Sequence, residues 1–311
     1  MRHRWLVGWI VGIGIIIISG CGRGYYNQSQ NNGEYSGTTL SSLPPIVFVS
    51  TKDGAYSLYT MKPDGSDIKR ITQPPANTFN VIDTSPDYTI SHGGLIAFIS
   101  NRTGNFSIYI VHPDGTGLKQ LTSNNLNYGS PVFSPDGNQI VYTVSIGSIS
   151  EIGIMNIDGS NTHIVINNPI GSASPVWLTG FLLAYISDPF GSSEIRLYDL
   201  LNNTQLAGSL FSGATSRLSW SANNLAMLFI SLLNGKKQVF KLNLFSPQQP
   251  IELSPDTCNF YEPAWSADGT KILMTGDCNG NPDIYLMNAD GTGLINLTHN
   301  YATNGYASWI H

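Results

Sequence analysis

A nine-residue pattern returns along this chain about every 44 residues, and that period constrains the fold more than any other feature. Ser57-Leu-Tyr-Thr-Met-Lys-Pro-Asp-Gly65 aligns with Ser107-Ile-Tyr-Ile-Val-His-Pro-Asp-Gly115 and with Asp283-Ile-Tyr-Leu-Met-Asn-Ala-Asp-Gly291. Weaker copies surround Gly153, Arg196 and Phe240, so the equivalent positions Tyr59, Tyr109, Gly153, Arg196, Phe240 and Tyr285 are spaced 50, 44, 43, 44 and 45 residues apart. A second series keeps step: Ser130-Pro-Val-Phe-Ser-Pro-Asp-Gly137 matches Glu262-Pro-Ala-Trp-Ser-Ala-Asp-Gly269, and its aromatic recurs at Phe133, Trp177, Trp220, Trp265 and Trp309. The sixth member is expected at Thr84 in Asp83-Thr-Ser-Pro-Asp87, with a short insertion, Tyr88 to Gly94, accounting for the single spacing of 50.

Four short apolar segments per period, separated by Asp-Gly and Pro-Asp-Gly turns, are the signature of a propeller blade. Each unit reads as strand a (the aromatic segment), strand b (Ile96 to Ser100 is one), strand c (the Tyr segment) and strand d (Leu118 to Thr122). A single blade leaves both its faces apolar, so blades must stack and the ring must close. The first unit begins at strand b, Ile46 to Ser50, and a lone strand a, Tyr306 to Ile310, stands at the C-terminus. The expectation is an all-β, six-bladed propeller of four-stranded antiparallel blades, closed by the C-terminal strand completing the first blade.

The run from Ile96 to Thr122, and that from Asp283 to Thr298, resembles a TolB-type propeller repeat. The resemblance covers roughly residues 46 to 311, the propeller alone. It implies a binding module of the cell envelope, with an envelope protein or a peptidoglycan-associated lipoprotein as partner.

Ahead of the repeats, Arg2, His3 and Arg4 precede an apolar run from Trp5 to Ile18, too short to span the ~30 Å core of a bilayer comfortably. Ile18-Ser19-Gly20-Cys21 resembles the lipobox of bacterial lipoproteins, which implies lipidation at Cys21 after cleavage. Residues 1–20 are thus expected to be a signal peptide. Residues 21–43, rich in Gly, Asn, Gln, Ser and Tyr, cannot bury enough apolar surface to order themselves and read as a tether reaching roughly 25 Å. The propeller then occupies 44–311. Gly22 rather than Asp follows the cysteine, so by analogy a two-membrane host would sort the protein to the outer membrane, facing the periplasm.

Composition narrows the partner. Removing Arg2 and Arg4 from the 15 Lys+Arg leaves 13 cations against 20 Asp+Glu, a net charge near −7. With no basic run, nucleic acid is excluded, because its binding is driven by phosphate neutralisation. The membrane is then contacted through the lipid alone. The molecule is expected to be a monomer.

Nothing in the sequence forms a catalytic set. Gly-x-Ser-x-Gly and His-Glu-x-x-His are missing, and His92, His112, His163, His299 and His311 fall on different turns, strands and loops rather than on one channel. No enzyme activity, metal or cofactor is expected. The recurring Asp64, Asp114, Asp158, Asp290, Asp136 and Asp268 read as turn residues capping their own backbone. The aromatic series reads as packing between blades.

Cross-strand partners in the sixth blade have numbers summing to about 537, and Cys258 and Cys278 sum to 536. In an oxidising exported space, a disulfide between them is expected. The b–c and d–a loops share one face, the expected partner-binding face. It carries Lys52, Asp53, Asn101, Arg102, Asn125, Tyr128, Asp188, Asn259, Tyr261, Glu262, Asp277, Asn304 and Tyr306. The alternative reading is a carbohydrate-binding or carbohydrate-active propeller, which needs a charged site on the channel.

Overall fold

The computed structural model describes residues 40–311 except 77, 79, 189–192, 245–248, 300, 301 and 311. The signal, Cys21 and nearly all of the tether therefore lie outside the described residues. Six antiparallel sheets form six blades, each running from an inner strand a to a short outer strand d. Among the described residues no helix is long and apolar enough to cross a membrane.

The near-continuous apolar character of the b strands follows from their position. Ile46–Ser50 is buried at every residue, because alternate side chains face different neighbouring blades. Ile46 and Phe48 pack with Leu273, Ile284 and Leu286 of the sixth blade. Val47 and Val49 point the other way, to Ile96, Phe98 and Tyr109 of the second. Cross-strand aromatic pairs repeat with the blades: Phe48 with Tyr59 at 5.9 Å, Phe98 with Tyr109 at 5.7 Å, and Phe229 with Phe240 at 5.7 Å. In the third blade the degenerate Gly153 has a use. A Cβ there would stand 2.5 Å from the ring of Tyr142, its cross-strand partner.

Strand Asn304–Trp309 pairs antiparallel with Ile46–Ser50, from Ile46 opposite Trp309 to Ser50 opposite Asn304. The Ile310 N–H donates to the Pro45 carbonyl at 2.7 Å, and the Thr51 N–H to the Thr303 carbonyl at 3.1 Å. The first and last described strands thus share one sheet, and the ring is closed.

Two features refine the sequence reading. The sixth aromatic is Tyr88, not a gap at Thr84. Tyr88 sits opposite Ile96, as Phe133 does opposite Ile140 and Trp265 opposite Ile272. The extra length of the first period therefore lies mainly in the connection between Lys69–Arg70 and Asp83–Thr89, not in an insertion after residue 87. In the fourth blade the outer strand is broken. Thr204–Gln205 and Phe211–Ser212 pair with opposite ends of Glu194–Asp199.

The turns follow the chemistry of their residues. Asp114 accepts the Thr116 N–H at 2.9 Å and the Thr116 hydroxyl at 2.7 Å, and Asp64, Asp158, Asp290, Asp136 and Asp268 close their turns in the same way. These hydrogen bonds hold the carboxyls of Asp64, Asp114, Asp158 and Asp290 below the usual carboxylate range. The following glycine is needed for a contact between blades. Gly115 has φ +86°, and a Cβ on it would lie 2.8 Å from the Ile71 carbonyl oxygen of the preceding blade.

Candidate functional site

Much of the expected partner face is occupied in holding the propeller together. Arg102 makes a two-pronged ion pair with Asp83, its Nη2 at 2.8 Å from both carboxylate oxygens. The side chains are 6% and 0% exposed, and the guanidinium also lies over Phe98 and Tyr109. Tyr128, placed on the face by the sequence reading, is 6% exposed and packs on Tyr142 at 5.5 Å; its position one residue into the inner strand turns it inward. Asn304 is buried and donates to Asp283 at 3.2 Å. Asn101 ties Ile82 and Asn80 to its own loop.

The residues that do reach solvent form smaller groups. Lys52 and Asp53 are exposed, and Asp53 accepts the Tyr59 phenol at 2.8 Å. Asn125 is exposed, and Asp188 is partly so, in a left-handed conformation at φ 52°. Asn259, Tyr261 and Asp277 are brought together. Asp277 accepts the Asn259 N–H and amide at 2.8 and 2.9 Å and the Tyr261 phenol at 3.3 Å, while Lys237 stands 4.9 Å from the Tyr261 ring centre. Cys258 and Cys278 are joined in a disulfide beside this group, with their Cα atoms 4.9 Å apart.

Glu262 and Tyr306 belong elsewhere. Each inner strand carries a bulge three residues before its aromatic, and the bulged residues form a ring around the channel: Ser85, Ser130, Ser174, Arg217, Glu262 and Tyr306. Five of them, all but Arg217, have positive φ, from 45° to 54°, and all six line the channel. The ring lines a cavity of about 210 Å³ on the loop side of the channel. Toward the a–b turns a second cavity, about 400 Å³, is lined by Tyr88, Phe133, Trp177, Trp220, Trp265 and Trp309. The indole N–H of Trp177 donates to the Val132 carbonyl at 3.2 Å, whereas those of Trp220, Trp265 and Trp309 are buried with no partner.

Arg217 contributes to both cavities. It reaches from the fifth blade to the second, on the opposite side of the ring, where Nη2 donates to the Pro86 carbonyl at 3.1 Å. Burial pushes the Asp87 carboxyl up to about 6, against the opposing pull of the Phe133 N–H and of Arg217. Burial also raises Glu262, whose Oε2 accepts the Tyr306 N–H at 2.9 Å and the Thr275 hydroxyl at 3.1 Å. The charge of Glu262, followed by burial, pushes the Tyr306 phenol up to about 12. The channel therefore holds a charged, unequal ring that the sequence reading did not assemble. Among the described residues no group of three or more His, Cys, Asp or Glu is placed to hold a metal ion.

Residues 43–177 and 145–311 each match the family model of the TolB beta propeller domain. The chain belongs to the TolB β-propeller domain family. Among curated relatives, the Tol-Pal system protein TolB of Bordetella pertussis is 28% identical over 158 residues, covering 49% of this chain and 35% of that protein. TolB of Anaeromyxobacter dehalogenans is 39% identical over 46 residues, 15% of this chain and 11% of its own. The chain thus matches about a third or less of the length of these relatives. The crystal structure of TolB from Acinetobacter baumannii superposes with a TM-score of 0.71 at 22% identity, over 86% of this chain and 66% of that one. A propeller from a nidogen/laminin complex superposes at 0.67 and 11% identity, over 86% and 98%. An oligogalacturonate lyase in complex with manganese does so at 0.52 and 11%, over 81% and 73%. The TolB propeller fold is shared by proteins with different work, so the fold does not assign one.

Proposed function

We propose that this TolB-family propeller is an exported, lipid-anchored scaffold of the cell envelope that binds a protein partner on its loop face without catalysis. The observation that carries the reading is the family match across the whole propeller, joined to the lipobox-like Ile18-Ser19-Gly20-Cys21 at the start of the chain. The curated relatives are named as Tol-Pal system proteins, which makes a peptidoglycan-associated lipoprotein the first partner to try. On this reading Lys52, Asp53, Tyr261 and Asp277 are the contacts, while Arg102, Tyr128 and Asn304 support the loops from within. A membrane is touched only through the lipid on Cys21, and the protein works as a monomer on the exported side.

The test has two arms. Growth on labelled palmitate should mark the full chain and not its Cys21→Ser variant; an unlabelled wild type sinks the anchor. The purified full chain should bind a purified peptidoglycan-associated lipoprotein of its host, and the Lys52→Ala/Tyr261→Ala variant should lose that binding with its melting temperature unchanged. Wild-type failure to bind, or undiminished binding by the variant, removes this face and partner. The charged channel is the one observation that favours a carbohydrate-binding propeller instead, and retention of host glycan in place of protein would support it.

A further inference from the structure

The channel contains a cation whose hydrogen bonding the protein leaves incomplete. Arg217 Nη2 is bonded to Pro86, but Nη1 is buried without a partner, and so is the hydroxyl of the adjacent Ser216. The carboxylates that share the channel do not fill these positions. Glu262 Oε2 is taken by Tyr306 and Thr275, and Asp87 Oδ2 accepts the Phe133 N–H at 2.9 Å. Among the described residues no carboxylate forms an ion pair with Arg217. What the site lacks is therefore an acceptor.

A buried donor without a partner carries the cost of its lost hydration, which an incoming acceptor would recover. The planar guanidinium fork fits a carboxylate with two parallel hydrogen bonds. Ser85, Ser130 and Ser174 supply hydroxyls around the same cavity, and about 210 Å³ is far more than the ~10–15 Å³ that one water needs. Glu262 and Asp87 limit the charge that can enter. A group with one negative charge fits better beside them than one with two.

We propose that the channel binds a carboxylate group at Arg217, with Ser216 and the three serines of the ring hydrogen-bonding the polar atoms next to it. The carboxylate belongs either to a free small hydroxy acid or to the C-terminus of a polypeptide. This site lies inside the ring, and it does not depend on partner binding at the loop face.

The experiment titrates the full chain with glycolate and with its uncharged counterpart glycolamide, read by calorimetry and ligand-observed NMR. Glycolate is expected to bind saturably, one per chain, and glycolamide not to bind. Arg217→Gln should weaken glycolate by roughly 10- to 100-fold, the loss of one charge-assisted hydrogen-bonding group. Glu262→Gln keeps the acceptor for Tyr306 and removes a negative charge, so it should strengthen binding. It also reads the site independently if Arg217→Gln fails to fold. Inorganic phosphate should bind more weakly than glycolate. N-acetyl-triglycine, compared with its C-terminal amide, distinguishes the sources. The peptide acid binding more tightly than glycolate indicates a chain terminus, and the reverse indicates a free acid. No binding of either acid, equal binding of glycolate and glycolamide, tighter binding of phosphate, or no strengthening in Glu262→Gln would overturn the proposal.

Discussion

Trp309→Ala tests whether the C-terminal strand is part of the propeller or an appendage to it. Trp309 is 1% exposed and packs among Ile46, Phe48, Leu273, Ile284 and Leu286, residues drawn from the first and sixth blades. Its indole N–H has no partner, so the substitution removes packing and leaves no hydrogen bond broken. Burial and the residual cavity together set the cost of a large aromatic truncation at about 3–5 kcal/mol. Against a typical stability of 5–15 kcal/mol this is a large share, and at about 2–4 °C per kcal/mol it lowers the melting temperature by roughly 6–20 °C. Urea unfolding followed by circular dichroism gives the free energy without relying on the deleted fluorophore. Hydrogen exchange gives the location. The closed ring requires Ile46–Ser50 to lose protection together with Asn304–Trp309, since each supplies the other's ladder partners. A cost below 1 kcal/mol, or faster exchange confined to Asn304–Trp309, would refute the closure argument.

Three further perturbations separate the structural roles of individual side chains. Asp87→Asn should stabilise the protein at pH 7–8. A carboxyl raised from 3.8 to about 6 favours the fold most below its unfolded value, and that contribution is lost as pH rises through the folded value, so removing the charge recovers about 1–3 kcal/mol, with no gain left below pH 4 in denaturant melts. Arg102→Ala leaves the fully buried Asp83 carboxylate unpaired and should cost about 3–5 kcal/mol in urea unfolding; a neutral result would mean the pair is dispensable. Gly115→Ala places a Cβ at φ +86° against the Ile71 carbonyl and should cost about 1–3 kcal/mol, whereas the same change at Gly54, with open space around it, should cost less by the same melts.

The repeat made the architecture readable because it recorded two independent things in step: the Asp-Gly turns and the inner aromatics. Either series alone would have left the register ambiguous in the degenerate blades. Tyr88 was misplaced for a specific reason. The unit Ser130-Pro-Val-Phe-Ser-Pro-Asp-Gly137 contains Ser-Pro twice, once at the bulge and once at the turn. Ser85-Pro86-Asp87 looks like the turn copy Ser134-Pro135-Asp136, but the ladder pairs it as the bulge copy. Local likeness favoured one alignment, and the strand pairing of the second blade required the other.

The loop face was harder to read for a different reason. A polar residue in a loop looks the same in sequence whether it faces solvent or ties the loop down, and Arg102 and Asn304 do the second. Their partners lie beyond the reach of any local pattern, Asp83 19 residues away across the same blade and Asp283 21 residues away in the neighbouring blade. The opposite failure hid the channel. Its six residues stand in one column of the repeat, three before each aromatic, so their convergence could have been found by reading down that column. The column as a whole is hidden because a repeat is recognised by what its copies share, and Glu262 and Tyr306 read singly look like loop-face residues. Serine occupies the column in three blades, and the chemistry lies in the three that depart from it: Arg217, Glu262 and Tyr306. In a closed ring every blade supplies the same position to the axis, so a substitution that looks like decay of the repeat is placed among the others at the channel. A departure from the shared residue can therefore place new chemistry at the channel without disturbing the packing that defines the fold, as Arg217, Glu262 and Tyr306 do in the fifth, sixth and first blades.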